Sequence, residues 1–334
     1  MTALSIAVAA LSDTLDAFEH ARARAMLTAY VGYWNTVDCE VLAVEREFQA
    51  PLVRPDGTVD PDWLLGGKID MALRIGGRIR LYDHKTSSED VSPGSTFRGR
   101  LTLNGQASQY LIGARHVGIA AEDFVFDVLG KPGLEPLKAT PEADRRFVKD
   151  KVTKQMRLDA RQRDRDEYPA EFFERCCEKI AEEPDRYIAQ IDVTRSEDEL
   201  AEYQRSLYVD SVLIDTVREY GLVSRNDGAC FQFGGRPCDY HPVCSATASI
   251  DDRSRYSSKR IHEELANPVP AGKRLLTNSR RASFNSCRQR HEYRYEQGIA
   301  AVERAHVLNF GTAVHSAVEA YWRARAPEHV RCAA

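Results

Sequence analysis

The sequence predicts an α/β protein, because stretches with strand-like and helix-like patterns alternate along its 334 residues. The clearest pair of strands is joined by Gly76 and Gly77, which are typical of a tight hairpin turn. Long stretches with helical spacing of apolar residues stand on either side of this hairpin. The other predicted elements are helices over 5–36, 101–117 and 197–220 and strands over 41–48, 124–128 and 186–193.

The remaining segments are predicted with less regular structure. A turn-rich loop is expected over 54–63 and a mobile loop over 87–98, whereas the densely charged stretch 142–184 is expected to be helical. Residues 245–275 are polar and rich in serine, aspartate and proline, which is typical of a linker. A final helix is expected to begin at Gly311 and to continue through Trp322.

The composition is that of a soluble globular protein, with 43% hydrophobic and 29% charged residues. We expect no membrane span, because the sequence has no run of about 18 apolar residues. The apolar stretch Leu4–Leu11 lacks a basic region before it, so we interpret it as a helix of a cytoplasmic protein. A formal net charge of −4 argues against non-specific coating of nucleic acid, but it allows a local basic groove.

The hairpin carries the residues that predict a metal site. Asp83 and Lys85 are two apart on one strand and therefore point to the same face, and Asp70 on the neighbouring strand can reach the same place. Together with the backbone carbonyl of His84, two carboxylates suit Mg²⁺, and a lysine beside them suits phosphodiester hydrolysis. An isolated Asp-x-Lys is more often a surface ion pair, so the prediction depends on the neighbouring motifs.

Further polar residues could complete this site. Gln106 and Tyr110 are four apart on a predicted helix and can meet a ligand together, although capping or core packing would also explain them. Glu45 and Glu47 share one face of the preceding strand, where exposed strand charge is the favoured interpretation.

The cysteines suggest a second site. Eight cysteines without an export signal indicate metal or redox use more than disulfides. Cys230, Cys238 and Cys244 lie close together in a loop rich in glycine, proline and aromatic residues, and Cys287 could provide a fourth thiolate. Four thiolates suit Zn²⁺ as well as an iron–sulfur cluster, and composition cannot separate the two.

With these motifs in place, the chain resembles the PD-(D/E)XK nuclease superfamily. The resemblance is strongest to its RecB/AddB-like and CRISPR-associated exonuclease branch, which carries an iron–sulfur cluster. It implies a restriction-endonuclease-like core, in which a mixed central sheet is flanked by helices, and a helical module stapled by the cluster. The matching pieces are Gly67–Asp70, Asp83–Lys85, Gln106 with Tyr110, the three cysteines at 230, 238 and 244, and the segment from Asn285 to Trp322.

The resemblance also implies roles for single residues. His315 corresponds to the metal-ligating histidine of the family, and a histidine ligand favours Mn²⁺ more than an all-oxygen site would, so the implied ion is Mg²⁺ or Mn²⁺. Cys230, Cys238, Cys244 and Cys287 correspond to the ligands of a 4Fe–4S cluster, with Zn²⁺ as the less favoured occupant. The implied activity is that of a metal-dependent DNA exonuclease acting in recombination, repair or phage DNA processing.

The order of the motifs departs from the family. There, the segments equivalent to Cys287 and His315 precede the strands, whereas here they follow them, so we interpret the chain as a circular permutant. We expect residues 1–245 to form the nuclease core, 246–275 a linker, and 276–334 a permuted segment that completes the same domain. The alternative is a truncated gene followed by the start of a second copy, whose last segment could dock on another chain.

The expected partner is DNA, as a single strand or a duplex end. Any helicase or recombination protein would be a separate chain, because no Gly-x4-Gly-Lys-Ser/Thr motif is present. Arginines and tyrosines between Arg280 and Tyr295 could hold phosphates and stack bases, although a solvated face explains them nearly as well. The alternative function is a non-catalytic DNA-binding accessory module that retains the nuclease fold and the cluster.

Overall fold

The computed structural model describes residues 2–11, 15–149, 152–153, 155–232, 235–263, 265–302 and 306–331. Twelve helices and twelve strands are assigned within these ranges. The helices are α1 Ala3–Ala9, α2 Ala17–Trp34, α3 Thr96–Thr102, α4 Gly105–His116, α5 Pro169–Glu182, α6 Pro184–Tyr187, α7 Glu197–Tyr220, α8 His241–Cys244, α9 Asn278–Ser286, α10 Arg288–His291, α11 His306–Arg325 and α12 Glu328–Arg331. The strands are β1 Glu40–Val53, β2 Val59–Ile75, β3 Arg78–Ser87, β4 Asp123–Gly130, β5 Phe147–Lys149, β6 Met156–Leu158, β7 Ile188–Val193, β8 Phe231–Gln232, β9 Arg236–Pro237, β10 Tyr256–Ser258, β11 Arg274–Thr277 and β12 Ile299–Ala301.

A mixed six-stranded sheet forms the centre of the fold. Its strand order is β1-β2-β3-β4-β7, and β11 pairs with β2 off this path. The pairs β1–β2, β2–β3 and β4–β7 are antiparallel, whereas β3–β4 and β11–β2 are parallel. The predicted α/β class, the central mixed sheet and the hairpin at Gly76 and Gly77 are therefore confirmed. The sheet separates two hydrophobic cores, one beneath α1, α2, α5 and α11 and one beneath α4 and α7.

A gap in the pairing of β2 creates the position of the site. β3 pairs with β2 from Ile75 back to Met71, and β11 pairs with β2 along Trp63–Gly66. Because β3 runs antiparallel to β2 and β11 runs parallel to it, the carboxyl ends of β3 and β11 point toward each other. Residues 67–70 of β2 lie between these two ends, and they are the residues of the predicted Gly-Lys-Ile-Asp motif.

Helix α11 is fixed to the rest of the chain by a cluster of buried aromatic rings. Trp322 and Tyr321 are fully buried, and the Trp322 ring packs edge-on against Trp34 of α2 at a centroid distance of 4.9 Å. The indole Nε1 of Trp322 donates a hydrogen bond of 2.7 Å to the hydroxyl of Tyr30. Arg325 donates to the carbonyl oxygen of Trp34, which ties the end of α11 to the end of α2.

Several element boundaries differ from the sequence-based expectation. The helix expected over 5–36 is two helices, because the carboxylate of Asp16 caps the backbone N–H groups of Phe18 and Glu19 and begins α2 there. The loop expected over 54–63 is shorter, since the chain turns at Gly57 with φ +84° and β2 begins at Val59. Helix α11 begins at His306, before Gly311.

The expectation of a helix over 142–184 is largely wrong. Of the residues that the structure describes in this range, only those of Pro169–Glu182 and Pro184–Tyr187 are α-helical, and the preceding part contains the short hairpin of β5 and β6. An apolar stripe with helical spacing begins only at Phe172, and Phe172, Cys176 and Ile180 are buried. The residues before Phe172 alternate in charge and lack an apolar stripe, so a helix there would have no apolar face to bury against the core. The loop expected over 87–98 ends in helix α3, which begins at Thr96.

The segment 246–275 contains ordered structure. β10 pairs with β12, and the segment ends in β11, which adds to the central sheet. Its boundaries as a linker remain a prediction. Within the described residues, no helix has both the length and the apolar character that crossing a membrane requires.

Candidate active site

A cleft of about 450 Å³ lies at the gap between the ends of β3 and β11. Its lining includes every catalytic or metal-binding residue predicted from the hairpin, the helix after it and the C-terminal segment. These residues are Asp70, Asp83, His84, Lys85, Gln106, Tyr110 and His315. The fold therefore brings together residues that are up to 245 positions apart in the chain.

Asp83, Lys85 and Gln106 form one hydrogen-bonded group. The Asp83 side chain is buried, and its Oδ1 accepts a hydrogen bond of 2.6 Å from Nε2 of Gln106. Its Oδ2 lies 2.5 Å from Nζ of Lys85, and the same ammonium donates to Oε1 of Gln106 at 3.2 Å. Gln106 therefore holds the carboxylate of Asp83 and the ammonium of Lys85 in fixed positions relative to each other.

Asp70 lies at the end of the β2–β3 ladder, where the two strands separate. Its Oδ2 accepts a hydrogen bond of 2.9 Å from the backbone N–H of His84 and lies 4.0 Å from Nε2 of His315. Burial, together with the negative charge of Asp83, raises the pKa of Asp70 to about 6. A cation bound at this place would relieve both effects.

Glu45 completes the group from β1. Its carboxylate is buried, with Oε1 at 3.2 Å from Nε2 of His315 and Oε2 paired with the ammonium of Lys68. Glu45 also has φ +52°, a left-handed backbone conformation that is uncommon for a residue other than glycine. Such strain occurs preferentially at functional sites, where the surrounding structure enforces it.

The pKa values of this pair follow from their contact. Burial acts to lower the pKa of His315, but the hydrogen bond to Glu45 and the charge of Asp70 outweigh it and raise the pKa to about 9. Burial acts to raise the pKa of Glu45, but hydrogen bonds from His315 and Lys68 lower it to about 2. Burial likewise acts to lower the pKa of Lys85, but the charge of Asp83 prevails and raises it, so Lys85 stays cationic at neutral pH.

The donor set fits a divalent metal ion. One ligand atom from each of Glu45, Asp70 and His315 lies within 4.8 Å of the other two, and this is the one such group among the described residues. Two carboxylate oxygens and one imidazole nitrogen suit ions that accept both oxygen and nitrogen ligands, such as Mn²⁺, and Mg²⁺ requires only a few protein oxygens. Asp83 is not part of this group, and its two oxygens contact Lys85 and Gln106 instead.

The ring of His84 lies edge-on to the ring of His315, at a centroid distance of 5.9 Å, and it also belongs to a buried polar network. Its Nδ1 lies 3.1 Å from Oδ2 of Asp127, which also accepts a hydrogen bond of 2.7 Å from the hydroxyl of Tyr30. Gln190 donates to the other oxygen of Asp127. Because Tyr30 in turn accepts from Trp322, this network joins β3, β4, α2 and α11 behind the site. Metal binding by the backbone carbonyl of His84 remains a prediction.

Tyr110 packs against the wall of the cleft. Its ring meets Phe48 edge-on at a centroid distance of 5.7 Å, and burial raises the pKa of its phenol well above the usual range. Gly67 leaves room for this packing, since a Cβ there would lie 2.8 Å from the ring of Phe48 and 3.0 Å from the ring of Tyr110. Gly66 allows a different close approach, because a Cβ there would lie 2.5 Å from the side chain of Leu275.

These motifs and their geometry agree with a comparison of the sequence with known families. A family model of the PD-(D/E)XK nuclease superfamily matches residues 3–245 and 276–334, which is nearly the whole chain. The chain belongs to the PD-(D/E)XK nuclease superfamily. Membership implies a nuclease that uses Mg²⁺ or Mn²⁺ and acts on DNA. No curated protein and no solved structure shows a significant match to the chain.

Glu45 was not assigned to the site from the sequence, because exposed charge was the favoured interpretation of both strand glutamates. Glu45 is 5% exposed and contacts His315, whereas both carboxylate oxygens of Glu47 accept backbone N–H groups of residues 266 and 267. The sequence feature that could have indicated Glu45 was the position of Glu45 and Glu47 on one face of a strand that precedes the Asp70 strand. Gln109 was missed entirely, although its Nε2 donates to the carbonyl oxygens of Gly66 and Leu276 and so joins β2 to β11.

The four predicted cluster ligands line one small cavity. Cys230, Cys238, Cys244 and Cys287 are all free thiols, and Arg225 and Arg290 line the same cavity. The sulfur atoms are not gathered closely, since no three of these cysteines bring their sulfurs within 4.8 Å of one another. A closed zinc tetrahedron with Zn–S distances near 2.3 Å would place sulfurs about 3.8 Å apart, so this arrangement is wider than a zinc site.

Proposed function

We propose that this PD-(D/E)XK superfamily member is a metal-dependent DNA exonuclease that hydrolyses phosphodiester bonds. The observation that carries the proposal is the meeting of Glu45, Asp70 and His315 within 4.8 Å, beside the Asp83–Lys85 pair and in one cleft. A binding-only protein would have no physical need to bury three carboxylates around one point, because each carboxylate costs desolvation energy.

The proposed division of work follows from the contacts. Glu45, Asp70 and His315 hold the metal ion, with Asp83 beside them. When bound, a divalent ion supplies Lewis acidity at the phosphate and a water molecule of lowered pKa. Lys85 keeps its positive charge and therefore stabilises negative charge on the phosphoryl oxygens instead of accepting a proton. Gln106 holds Lys85 in that position.

The opposite wall of the cleft suits a phosphate group. Thr277, Asn278 and Ser279 line it at the start of α9, and the side chain of Thr277 caps that helix by accepting from the N–H of Arg280. The partial positive charge of a helix N-terminus favours an anionic group at this wall. Lys68 adds a cationic side chain to the same cleft. We infer that the scissile strand lies between α9 and the Asp83–Lys85 pair.

We further propose that the four cysteines hold a 4Fe–4S cluster of structural role, as the resemblance to the exonuclease branch implies. Support comes from their shared cavity and from the two arginines that would offset the charge of thiolates. Cys287 belongs to the C-terminal segment and lines the same cavity as the other three cysteines. The circular permutation is likewise our proposal, and it rests on the position of Cys287 and His315 after the strands in this sequence.

Cleavage of labelled DNA tests the enzymatic part. With Mg²⁺ or Mn²⁺, linear DNA should be degraded from its ends, whereas covalently closed circular DNA of the same sequence should persist. Asp83→Asn and Lys85→Ala should each abolish degradation, and the exposed controls Asp62→Asn and Lys138→Ala should not. Equal activity of wild type and both cleft variants would contradict the proposed site, and cleavage of closed circles would contradict the exonuclease assignment.

The same protein preparations test the alternative of a DNA-binding accessory module. Tight DNA binding without any uptake of Mn²⁺ would support that alternative, because an intact metal centre is the feature that separates the two functions. A role in recombination or repair, a separate helicase partner and a cytoplasmic location remain predictions.

A further inference from the structure

A second cavity, of about 630 Å³, lies where residues 259–269 meet the beginning of β11. It is separate from the metal site, and its lining combines two kinds of side chain. The apolar part includes Ile261, Leu265, Val269 and Leu275, and the cationic part includes Lys259, Arg260, Lys273, Arg274 and Arg280. Apolar walls beside positive charge are what a base and its phosphate require.

The wall of this cavity is held in place by β1. Both carboxylate oxygens of Glu47 accept backbone N–H groups, from Ala266 and from Asn267, the latter at 2.9 Å. The amide of Gln49 donates to the carbonyl oxygen of Pro268 at 3.2 Å. The segment that was expected to be a linker is therefore anchored to the central sheet at this point.

Part of the positive charge in the cavity is not matched by a carboxylate. Lys259 pairs with Glu263, Arg274 with Asp215 and Arg280 with Glu296. Glu296 is the one carboxylate among the described residues that line the cavity. In contrast, the guanidinium of Arg260 donates to the backbone carbonyl oxygen of His262 at 3.0 Å. The ammonium of Lys273 likewise donates to a backbone carbonyl, that of Pro61.

Carbonyl contacts orient these two side chains and leave their charge in place. Among the described residues, no carboxylate is placed in an ion pair with Arg260 or Lys273. This cavity therefore offers positive charge to an anionic ligand.

Strand β11 contributes residues to both the cavity and the metal-site cleft. Leu275 lines the cavity and Thr277 lines the cleft. Two residues of one strand that are separated by a single position point to the same face and lie about 7 Å apart. A DNA strand with one phosphate in the cleft would therefore place an adjacent nucleotide at the cavity.

We propose that this cavity binds an unpaired nucleotide of the DNA strand whose phosphodiester lies in the cleft. The base packs on the apolar wall, and its phosphate meets Arg260 and Lys273. A base can enter such a cavity only when it is not paired or stacked in a duplex, so the cavity favours single-stranded DNA over duplex. This inference rests on the proposed nuclease function and assigns it a strand preference.

Salt-dependent binding of a fluorescent single-stranded oligonucleotide tests the charged part, in EDTA so that no cleavage occurs. Log affinity falls with log salt concentration, and loss of one phosphate contact makes this slope less steep by about 0.7. The corresponding loss of affinity is about fivefold at 0.1 M salt. We expect this loss for Arg260→Ala. The matched control is Arg253→Ala, because Arg253 is exposed and lies outside the cavity. An unchanged slope in Arg260→Ala, or an equal change in both variants, would overturn the proposal.

Val269→Trp tests the base-binding part, because it fills the cavity without changing its charge. We expect about 5- to 100-fold weaker binding of the single strand, the range for loss of one stacked base, and unchanged binding of a blunt duplex. Unchanged single-strand binding, or equal weakening for duplex, would overturn the proposal. Because both measurements exclude divalent metal, a wild-type protein that shows these contrasts but cleaves no DNA would refute the nuclease function and leave this inference standing.

Discussion

Oε1 of Glu45 lies 3.2 Å from Nε2 of His315, although 270 positions separate the two residues in the chain. Glu45 comes from β1 and His315 from α11, which the aromatic cluster around Trp322 fixes against α2. The contact places α11 beside β1, and β2, the neighbour of β1, supplies Asp70. The imidazole of His315 contacts both carboxylates, with Nε2 at 3.2 Å from Glu45 and at 4.0 Å from Asp70.

Glu45→Gln should lower both Mn²⁺ affinity and DNA cleavage by about 100-fold or more, because it removes one of three close ligand atoms and leaves the backbone strain unchanged. Calorimetric titration with Mn²⁺ and initial cleavage rates measure the two effects. Glu40→Gln is the matched control on the same strand, since Glu40 is exposed and only pairs with Arg74 on the surface. Equal behaviour of the two variants would remove Glu45 from the metal site.

Metal affinity should rise with pH. His315 has a pKa of about 9 in the metal-free protein and must lose its proton before it can bind a metal ion. Release of one proton per ion predicts about tenfold tighter binding per pH unit from about pH 7 to 9, with a plateau above. Below the pKa of Asp70, which is about 6, a second proton competes and the dependence becomes steeper. Titrations with Mn²⁺ at several pH values measure this slope.

The stability of the metal-free protein should change in the opposite direction. The pKa of His315 is raised above its unfolded value of about 6.5, so its contribution to stability is complete below that pH and is lost as pH rises through about 9. Thermal unfolding in EDTA should therefore show a falling midpoint over this range. His315→Gln should remove the part of the pH dependence of both quantities that falls between about pH 7 and 9, and a wild-type metal affinity that does not change over this range would contradict the assignment of His315 as a ligand.

The parts of the site that could be predicted are those that are local in sequence. Alternation along β3 places Asp83 and Lys85 on one face, and the spacing of one helical turn places Gln106 and Tyr110 together. The fold confirms that these residues line one cleft. Their catalytic roles remain predictions, whereas their convergence needed only the periods of strand and helix and the tight turn at Gly76 and Gly77.

Long-range features could not be predicted in the same way. The burial of Glu45 depends on the docking of α11, whose approach brings His315 to it, and nothing in the strand alternation of Glu45 and Glu47 separates the two. The parallel pairing of β11 with β2 joins residues about 210 positions apart, and the side-chain amide of Gln109 adds a hydrogen bond to a carbonyl oxygen on each strand. The 246–275 segment appeared to be a linker because its anchor, Glu47, lies about 220 positions earlier.

Gly66→Ala should destabilise the protein by about 1–3 kcal/mol, because a Cβ at this position would lie 2.5 Å from the buried side chain of Leu275 and would push β11 away from β2. Gly32→Ala provides the control with the opposite sign. Gly32 lies within α2 with no atom near its would-be Cβ, so alanine should stabilise the helix by about 0.5–1 kcal/mol. Urea unfolding of both variants measures the difference, and equal effects would contradict the close approach of β11.

Iron bound to the cysteine cavity should depend on the C-terminal segment. Protein purified without oxygen should contain iron and show the visible absorption of thiolate-bound iron, and Cys287→Ser should lose it as completely as Cys244→Ser, because both residues line the same cavity. Cys177→Ser is the control, since Cys177 belongs to α5 and packs against the edge of the hydrophobic core. Zinc in place of iron would contradict the cluster. Iron retained in Cys287→Ser but lost in Cys244→Ser would mean that a ligand other than Cys287 completes the site.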